Sequence, residues 1–358
     1  MIDQPYVSTP TCAEKRTMPE QPHIQRRTSY EPHTRLTVQG NRFRINDRII
    51  DLYGIRVASA SQSDELTQAL IENLDEYKAH GVNAVTVFLQ GSSGGFADPF
   101  SPDGTTLAPD HLTRIRRIIE ACDKRGMVVI VGIFYQRVMA DVNASRRIED
   151  AEAVLRAVQT TAERLRDYEN LIINIANEQN STYYESFEFF DFNDPERIVE
   201  LCERVHAVDP TRLVGGGGYD DDLNVVIGKS PAVDVLLFDT SGQDIAKGQG
   251  SGWHYDFFVR SGVINKPIVN VEVFGGWTKR CVTESGEGGH FLPEHKQLYR
   301  REVDAAAERP GLSVFFHANP WCQGPSLGQP ARFDLGGRGE ADDPGIRWWF
   351  DYVRSTIK

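Results

Sequence analysis

Short, nearly continuous apolar runs alternate with amphipathic helical patterns along almost the whole chain, and that alternation confines it to a parallel sheet wrapped in helices. Runs suited to strands covered on both faces fall near 52–58, 82–89, 127–134, 171–177, 212–216, 233–238, 267–273 and 312–317. Helical patterns follow most of them, over Asp64–His80, Pro109–Arg125, Ile148–Tyr168, Asp194–Val208, Pro293–Arg309 and Pro344–Ile357. Several open with Pro or Asp and close near Gly81, Gly126 or Gly311, the residues that start and stop helices. Eight strands and a closing helix predict the α/β class and a single (β/α)8 TIM barrel, with the fifth and sixth units carrying the weakest pattern. An open, doubly wound sheet is the competing arrangement, because periodicity alone does not separate the two.

Ahead of the barrel, residues 1–34 are polar and Pro-rich, with scattered Arg16, Arg26 and Arg27, and read as an N-terminal arm. From Leu36 two alternating runs, broken at Gly40-Asn41 and again at Asn46-Asp47, predict a short N-terminal β-ribbon able to close the bottom of the barrel. Residues 35–358 then form one barrel domain, since no stretch is rich enough in Gly, Ser or Pro to mark a further boundary.

Charge narrows the partners. A net charge of −12 weighs against nucleic acid or an anionic membrane, both of which need clustered Lys and Arg. Five cysteines (Cys12, Cys122, Cys202, Cys281, Cys322) lack a CxxC spacing and are expected to be free thiols, Cys122 and Cys202 serving as small hydrophobes in helices. No apolar run reaches the ~18 residues of a membrane span, and the N-terminus lacks an apolar signal core, so a soluble cytoplasmic protein is the expectation.

Two of the apolar runs end in a glutamate: Leu-Ile-Ile-Asn-Ile-Ala-Asn-Glu at 171–178 and Pro-Ile-Val-Asn-Val-Glu-Val-Phe at 267–274. A barrel keeps its chemistry at the carboxyl ends of its strands, so Glu178 and Glu272 meet at one mouth. Two carboxylates there suffice to cleave a glycosidic bond, one protonating the leaving oxygen and one attacking the sugar. Neither step needs a metal or organic cofactor. A lone strand-end Glu is more often a solvated or salt-bridged carboxylate; the pair is what carries the reading.

Asn177-Glu178 closing the fourth strand and Glu272 closing the seventh resemble the clan A retaining glycoside hydrolases, the cellulase- and mannanase-like barrels, from about residue 36 onward. The resemblance implies Glu178 as acid/base, Asn177 as binder of the sugar 2-hydroxyl, Glu272 as nucleophile and a β-linked carbohydrate as substrate. The pattern departs from that of family 5 cellulases at three places. Gln179 stands where Asn-Glu-Pro has proline; the second strand, Val-Thr-Val-Phe-Leu, lacks arginine; the sixth ends Phe238-Asp239-Thr240 rather than in His-x-Tyr.

Replacements can be sought nearby. Arg56 at the end of the first strand is placed to orient Glu272, and His254-Tyr255, in what reads as the loop after the sixth strand, to replace His-x-Tyr. The plain readings are a general neutraliser of barrel carboxylates and a loop histidine without a partner. Sugars offer apolar C–H faces to aromatic rings. Trp253, Trp277, Trp321, Tyr135, Tyr183 and Tyr184 fall just beyond strand ends, with Trp321 the foremost platform candidate; His317, closing the eighth run, joins the substrate-binding set. Trp348 and Trp349 lie in the last helix and read as packing. Gly215–Gly218 lacks the flanking residues of a phosphate cradle and reads as a close-packed strand end, and Asp220-Asp221-Asp222 as a solvated acidic loop rather than a calcium site. The insertion at Glu284–His290 reads as a lid or a plain loop.

The reading is thus a retaining O-glycoside hydrolase. Two others stay open: a sugar-binding barrel that has lost catalysis, and a metal-dependent barrel hydrolase or isomerase using His317, His254 and carboxylates. Turnover of aryl β-glycosides separates the first, and persistence of activity in EDTA the second.

Overall fold

The computed structural model describes residues 30–92, 95–137, 139–275, 289–318, 321–322 and 331–357. Eight parallel strands form the barrel: β1 (Tyr53–Arg56), β2 (Ala84–Phe88), β3 (Val128–Phe134), β4 (Leu171–Ala176), β5 (Leu213–Gly216), β6 (Val235–Ser241), β7 (Ile268–Gly275) and β8 (Leu312–Phe316). Each is hydrogen-bonded to the next, and β8 pairs with β1 through Val314↔Tyr53, so the ring is closed and the open-sheet arrangement is ruled out.

Side-chain alternation divides the core in two. Inward residues such as Ala84, Val128, Ile130, Ile172, Val235, Leu237, Val269 and Phe315 form one cluster. Leu36, Phe43 and Ile45 of the antiparallel ribbon (Leu36–Gln39, Arg42–Ile45, Arg48–Ile50) join that same cluster, which is how the ribbon plugs the barrel floor. Large and small residues interdigitate inside: the Phe315 ring occupies the space a side chain at Gly54 would take, and Phe88 does the same at Gly132. Outward residues such as Ile55, Val85, Val129, Ile173 and Phe316 form the larger cluster against the helices.

The helices are α1 (Asp64–Ala79), α2 (Pro109–Asp123), α3 (Ala151–Arg164), α4 (Pro195–Val208), α5 (Asp221–Lys229), α6 (Gly242–Lys247), α7 (Ser251–Arg260), α8 (Pro293–Glu308) and α9 (Arg347–Thr356). Trp348 and Trp349 are buried in α9, as expected of packing residues. Units five and six hold what the sequence pattern left faint. Asp220 caps α5, accepting the amides of Asp222 and Leu223, so the acidic triplet begins a helix rather than forming a loop. His254 and Tyr255 lie inside α7 and not in a loop.

Cys122, Cys202 and Cys322 are free and buried, and burial pushes each thiol above its usual range, Cys122 and Cys322 to about 12. Among the described residues no helix is long and apolar enough to cross a membrane. At the N-terminal edge Asp123 at the end of α2 receives Tyr30 Oη (2.6 Å) and the amides of His33 and Thr34 (2.9 Å each). Residues 1–29 of the predicted arm, Cys12, Trp277, Cys281 and positions 284–288 of the predicted insertion lie outside the described residues.

Candidate active site

Glu178 lies two residues past the end of β4 and takes a left-handed backbone, φ 46°, which is rare for a residue with a side chain and turns the chain sharply at the barrel mouth. Glu272 sits three residues before the end of β7 and is 3% exposed. Its carboxylate lies between two cationic or potentially cationic groups: Arg56 Nη1 at 2.6 Å from Oε2 and His317 Nδ1 at 3.2 Å from Oε1. The same Arg56 nitrogen donates to Asn177 Oδ1 at 2.8 Å. Arg56 is fully buried, at a desolvation cost that Glu272 first, then Tyr135, Asp239 and Glu178, outweigh, so its charge is held firmly.

The first-strand arginine thus bridges Glu272 and Asn177. Tyr135 joins this group: its ring lies edge-on to Phe88 at 5.5 Å, with the Arg56 guanidinium 5.8 Å from its centroid. Burial raises its hydroxyl well above the ordinary range. Asn177 Nδ2 donates to Gln136 Oε1 at 2.6 Å, and Tyr184 Oη donates to the Asn177 carbonyl at 2.9 Å, so Asn177 is braced on both sides.

Two further groups escaped the sequence reading. Tyr219, just past β5, donates its hydroxyl to Glu178 Oε1 at 3.2 Å. A Cβ on Gly275 would overlap both that hydroxyl and the Glu272 carboxylate, which explains why this strand end is glycine. The only sequence signal was that Tyr219 closes a glycine run. The second is Asp239, an inward residue of β6 directly opposite Glu272 in the strand register. Its Oδ1 is buried with no hydrogen-bond partner among the described residues. Burial, then the charges of Glu272 and Glu178, raise the Asp239 carboxyl well above the usual range. The sequence named Asp239 only as a departure from His-x-Tyr.

The glutamates are electrostatically unequal. Burial first and the neighbouring Glu272 charge second push Glu178 up to about 8, against the pull of Arg56 and the hydrogen bonds from Tyr219 and Gln136. Glu178 thus keeps its proton at neutral pH, while Glu272 lies against the Arg56 guanidinium and the His317 ring.

Three sequence expectations are corrected. His254 is not at the mouth: its Nδ1 contacts Asp221 Oδ1 at 2.8 Å, and its ring packs on Phe238, Trp253 and Phe258 between barrel and helices. Tyr255 points to the floor, where its hydroxyl donates to the Pro310 carbonyl at 2.8 Å just before β8 begins. Helix α7 explains both, because its face toward the sheet is buried and its axis carries the next residue toward the strands' amino ends. Trp321 is no platform. It is 3% exposed, donates Nε1 to Asp334 O at 2.7 Å, lies under the Arg332 guanidinium at 4.2 Å, and its ring fills the space beside Gly289 and Gly336. Trp253 stacks on Phe257 along the outside of α7. The exposed aromatics that do accompany mouth loops are Tyr183, 56% exposed, and Phe96, 46% exposed and edge-on to Tyr135 at 5.9 Å.

A closed parallel barrel whose fourth and seventh strands carry an acid and an arginine-held carboxylate defines a glycoside hydrolase. The sequence pattern of glycosyl hydrolase family 5 (cellulase) matches residues 50–239, and the chain belongs to that family. No curated protein matches the chain in sequence. Among solved structures it is similar to the Pyrococcus horikoshii endocellulase (TM-score 0.59, 14% identity, 91% of this chain and 99% of that one). It is also similar to an endo-1,4-β-mannanase from Rhizomucor miehei (0.58, 14%, 79% and 90%). A family 5 glycoside hydrolase from Bacteroides vulgatus resembles it equally (0.59, 15%, 89% and 68%), and of another structure from that organism the chain spans 61%. At these identities the likeness is one of fold.

Proposed function

We propose that the protein is a retaining hydrolase of a β-linked oligo- or polysaccharide, acting by double displacement. The observation that carries this is the asymmetry of the glutamates: Arg56 lies 2.6 Å from Glu272, while burial holds Glu178 protonated up to about 8. Glu272 attacks the anomeric carbon as Glu178 gives its proton to the departing glycosidic oxygen. The glycosyl–Glu272 ester forms and the C–O bond to the leaving group breaks. Glu178, now a carboxylate, takes a proton from water, which displaces Glu272 and releases the sugar with its original anomeric configuration.

Asn177 and Asp239 flank the nucleophile and supply sugar contacts, the unpartnered Asp239 Oδ1 accepting a glycone hydroxyl. Phe96 and Tyr183 replace Trp321 as candidate stacking surfaces. The test is proton NMR of the first product released from an aryl β-glycoside. A β-anomer is expected; an α-anomer overturns the retaining mechanism, and binding without turnover would favour the inactive sugar-binding barrel.

A further inference from the structure

Strand β7 does not run in simple register with β6. Leu237 pairs with Val269 and Phe238 with Asn270, but the next pairs are Asp239↔Glu272 and Ser241↔Gly275. Val271 is therefore an extra residue in β7, and another follows before Gly275. In a regular strand Val269 and Val271 face inward, so residue 272 faces out, into the layer between barrel and helices. The bulge at Val271 changes the phase. Val271 stays in the inner cluster, Glu272 moves inward opposite Asp239, and Val273 and Phe274 return to the outer cluster, Phe274 at φ 58°.

A slipped ladder leaves backbone amides without strand partners, and here two side chains receive them. Asn270 Oδ1 accepts the Glu272 amide at 3.1 Å, and Thr240 Oγ1 accepts the Phe274 amide at 3.1 Å. Asn270 Nδ2 gives one hydrogen to Thr240 Oγ1 at 2.9 Å and the other to Ser251 Oγ at 2.8 Å. Ser251 opens α7 and is fastened to Glu302 of α8, its amide at 2.7 Å and its hydroxyl also bonded to that carboxylate. Asn270, Thr240 and Ser251 are fully buried and Glu302 is 5% exposed, so each bond is made where a lost partner is costly.

We propose that Asn270 and Thr240 are positioning residues for the nucleophile: they hold the β7 bulge that turns Glu272 into the barrel, and the Ser251–Glu302 link fixes that bulge to helices α7 and α8. The assignment rests on Glu272 being the nucleophile, but the aiming itself is a matter of backbone geometry. The chain reaches Glu272 from behind the sheet. None of its hydrogen bonds reaches Glu178, so its loss should slow chemistry more than binding.

The test pairs Thr240→Val, which keeps the shape and removes the acceptor, with Thr240→Ser, which keeps the oxygen. Asn270→Ala is the stronger variant, and the Thr240 pair decides the matter where Asn270→Ala does not fold. The expected result for Thr240→Val is a fall in kcat of roughly 10- to 10²-fold with KM within about twofold, the scale of a small misplacement of a reacting group. Thr240→Ser should recover most of that kcat. Crystal structures should show Glu272 on Arg56 in the wild type and withdrawn from it in Thr240→Val. A Thr240→Val enzyme with unchanged kcat, or one slowed while Glu272 still contacts Arg56, overturns the proposal. An inactive wild type would sink the nucleophile assignment instead, and the crystallographic comparison would still decide whether Asn270 and Thr240 aim Glu272.

Discussion

The two glutamate-bearing strand ends reach the same mouth by different means. β4 stays in register with β3 and β5 through Asn174, and the chain turns only afterwards, at the left-handed Glu178. β7 slips register before its glutamate and needs Asn270 and Thr240 to absorb the slip. Their surroundings differ in the same sense. Glu272 has Arg56 and His317 for partners, whereas Glu178 has hydroxyl and amide donors and a desolvated setting. Burial and a nearby negative charge suffice to keep Glu178 neutral, whereas the Glu272 carboxylate is seated against a guanidinium and on a strand whose backbone is braced behind it.

That contrast is broken most severely at Glu272, the proposed nucleophile. Glu272→Gln leaves nothing to attack the anomeric carbon, and activity should fall on the order of 10⁴-fold or more on every substrate, measured with both activated and natural leaving groups. Retained activity would reassign the nucleophile.

Glu178→Gln should cost roughly 10²–10⁴-fold on substrates with poor leaving groups and less on activated aryl glycosides, where the glycosyl-enzyme accumulates and azide restores turnover as a β-glycosyl azide. The wild-type kcat/KM should fall above about pH 8 as Glu178 loses its proton, and this limb should vanish in the variant. Stability changes with the same group. The folded state keeps a proton on Glu178 that the unfolded chain gives up near its ordinary value of about 4.3, so wild-type stability declines as pH rises from there to about 8. Glu178→Gln should therefore raise Tm over wild type at pH 8 and not at pH 4; the reverse order would contradict the buried, protonated acid.

Asp239 lies between the two glutamates and sharpens the comparison. Asp239→Ala removes the carboxyl altogether, and a loss of about 1–3 kcal/mol in kcat/KM is expected, since a buried polar contact is lost. An unchanged kcat/KM would remove Asp239 from the sugar site.

The smallest kinetic effect belongs to Trp321. Buried against Asp334 and Arg332, it should contribute about 3–5 kcal/mol of stability, so Trp321→Ala should lower Tm while kinetics measured well below Tm stay close to wild type. A raised KM at unchanged Tm would restore it as a sugar platform.

Much of this molecule was readable before its structure. The strand runs, the capping residues and the two terminal glutamates are local features, and the barrel, its ribbon plug and the glutamates' meeting at one mouth follow from them. Units five and six were less legible because α5 and α6 are short, and short helices carry little periodicity. His254 and Tyr255 were misplaced for that reason: with α7 unseen, a helix residue looked like a loop residue. Trp321 was misjudged because position after a strand end says where a side chain starts and nothing of what later segments fold over it; Asp334 and Gly336 come from a separate stretch of chain.

Hydrophobic period and caps act over a few residues, so the alternation of strands and helices, the fold class and the strand ends on which the glutamates sit are written locally along the chain. Which groups surround those glutamates is settled by how the whole barrel packs. Arg56 and Glu272 stand at opposite ends of the barrel's chain and become neighbours because β8 closes onto β1; Asp239, Tyr219 and the bulge at Val271 acquire their roles from register between strands. Register and ring closure are set by the packing of the whole barrel, and a difference of one residue in β7 separates a glutamate facing the substrate from one buried behind the sheet.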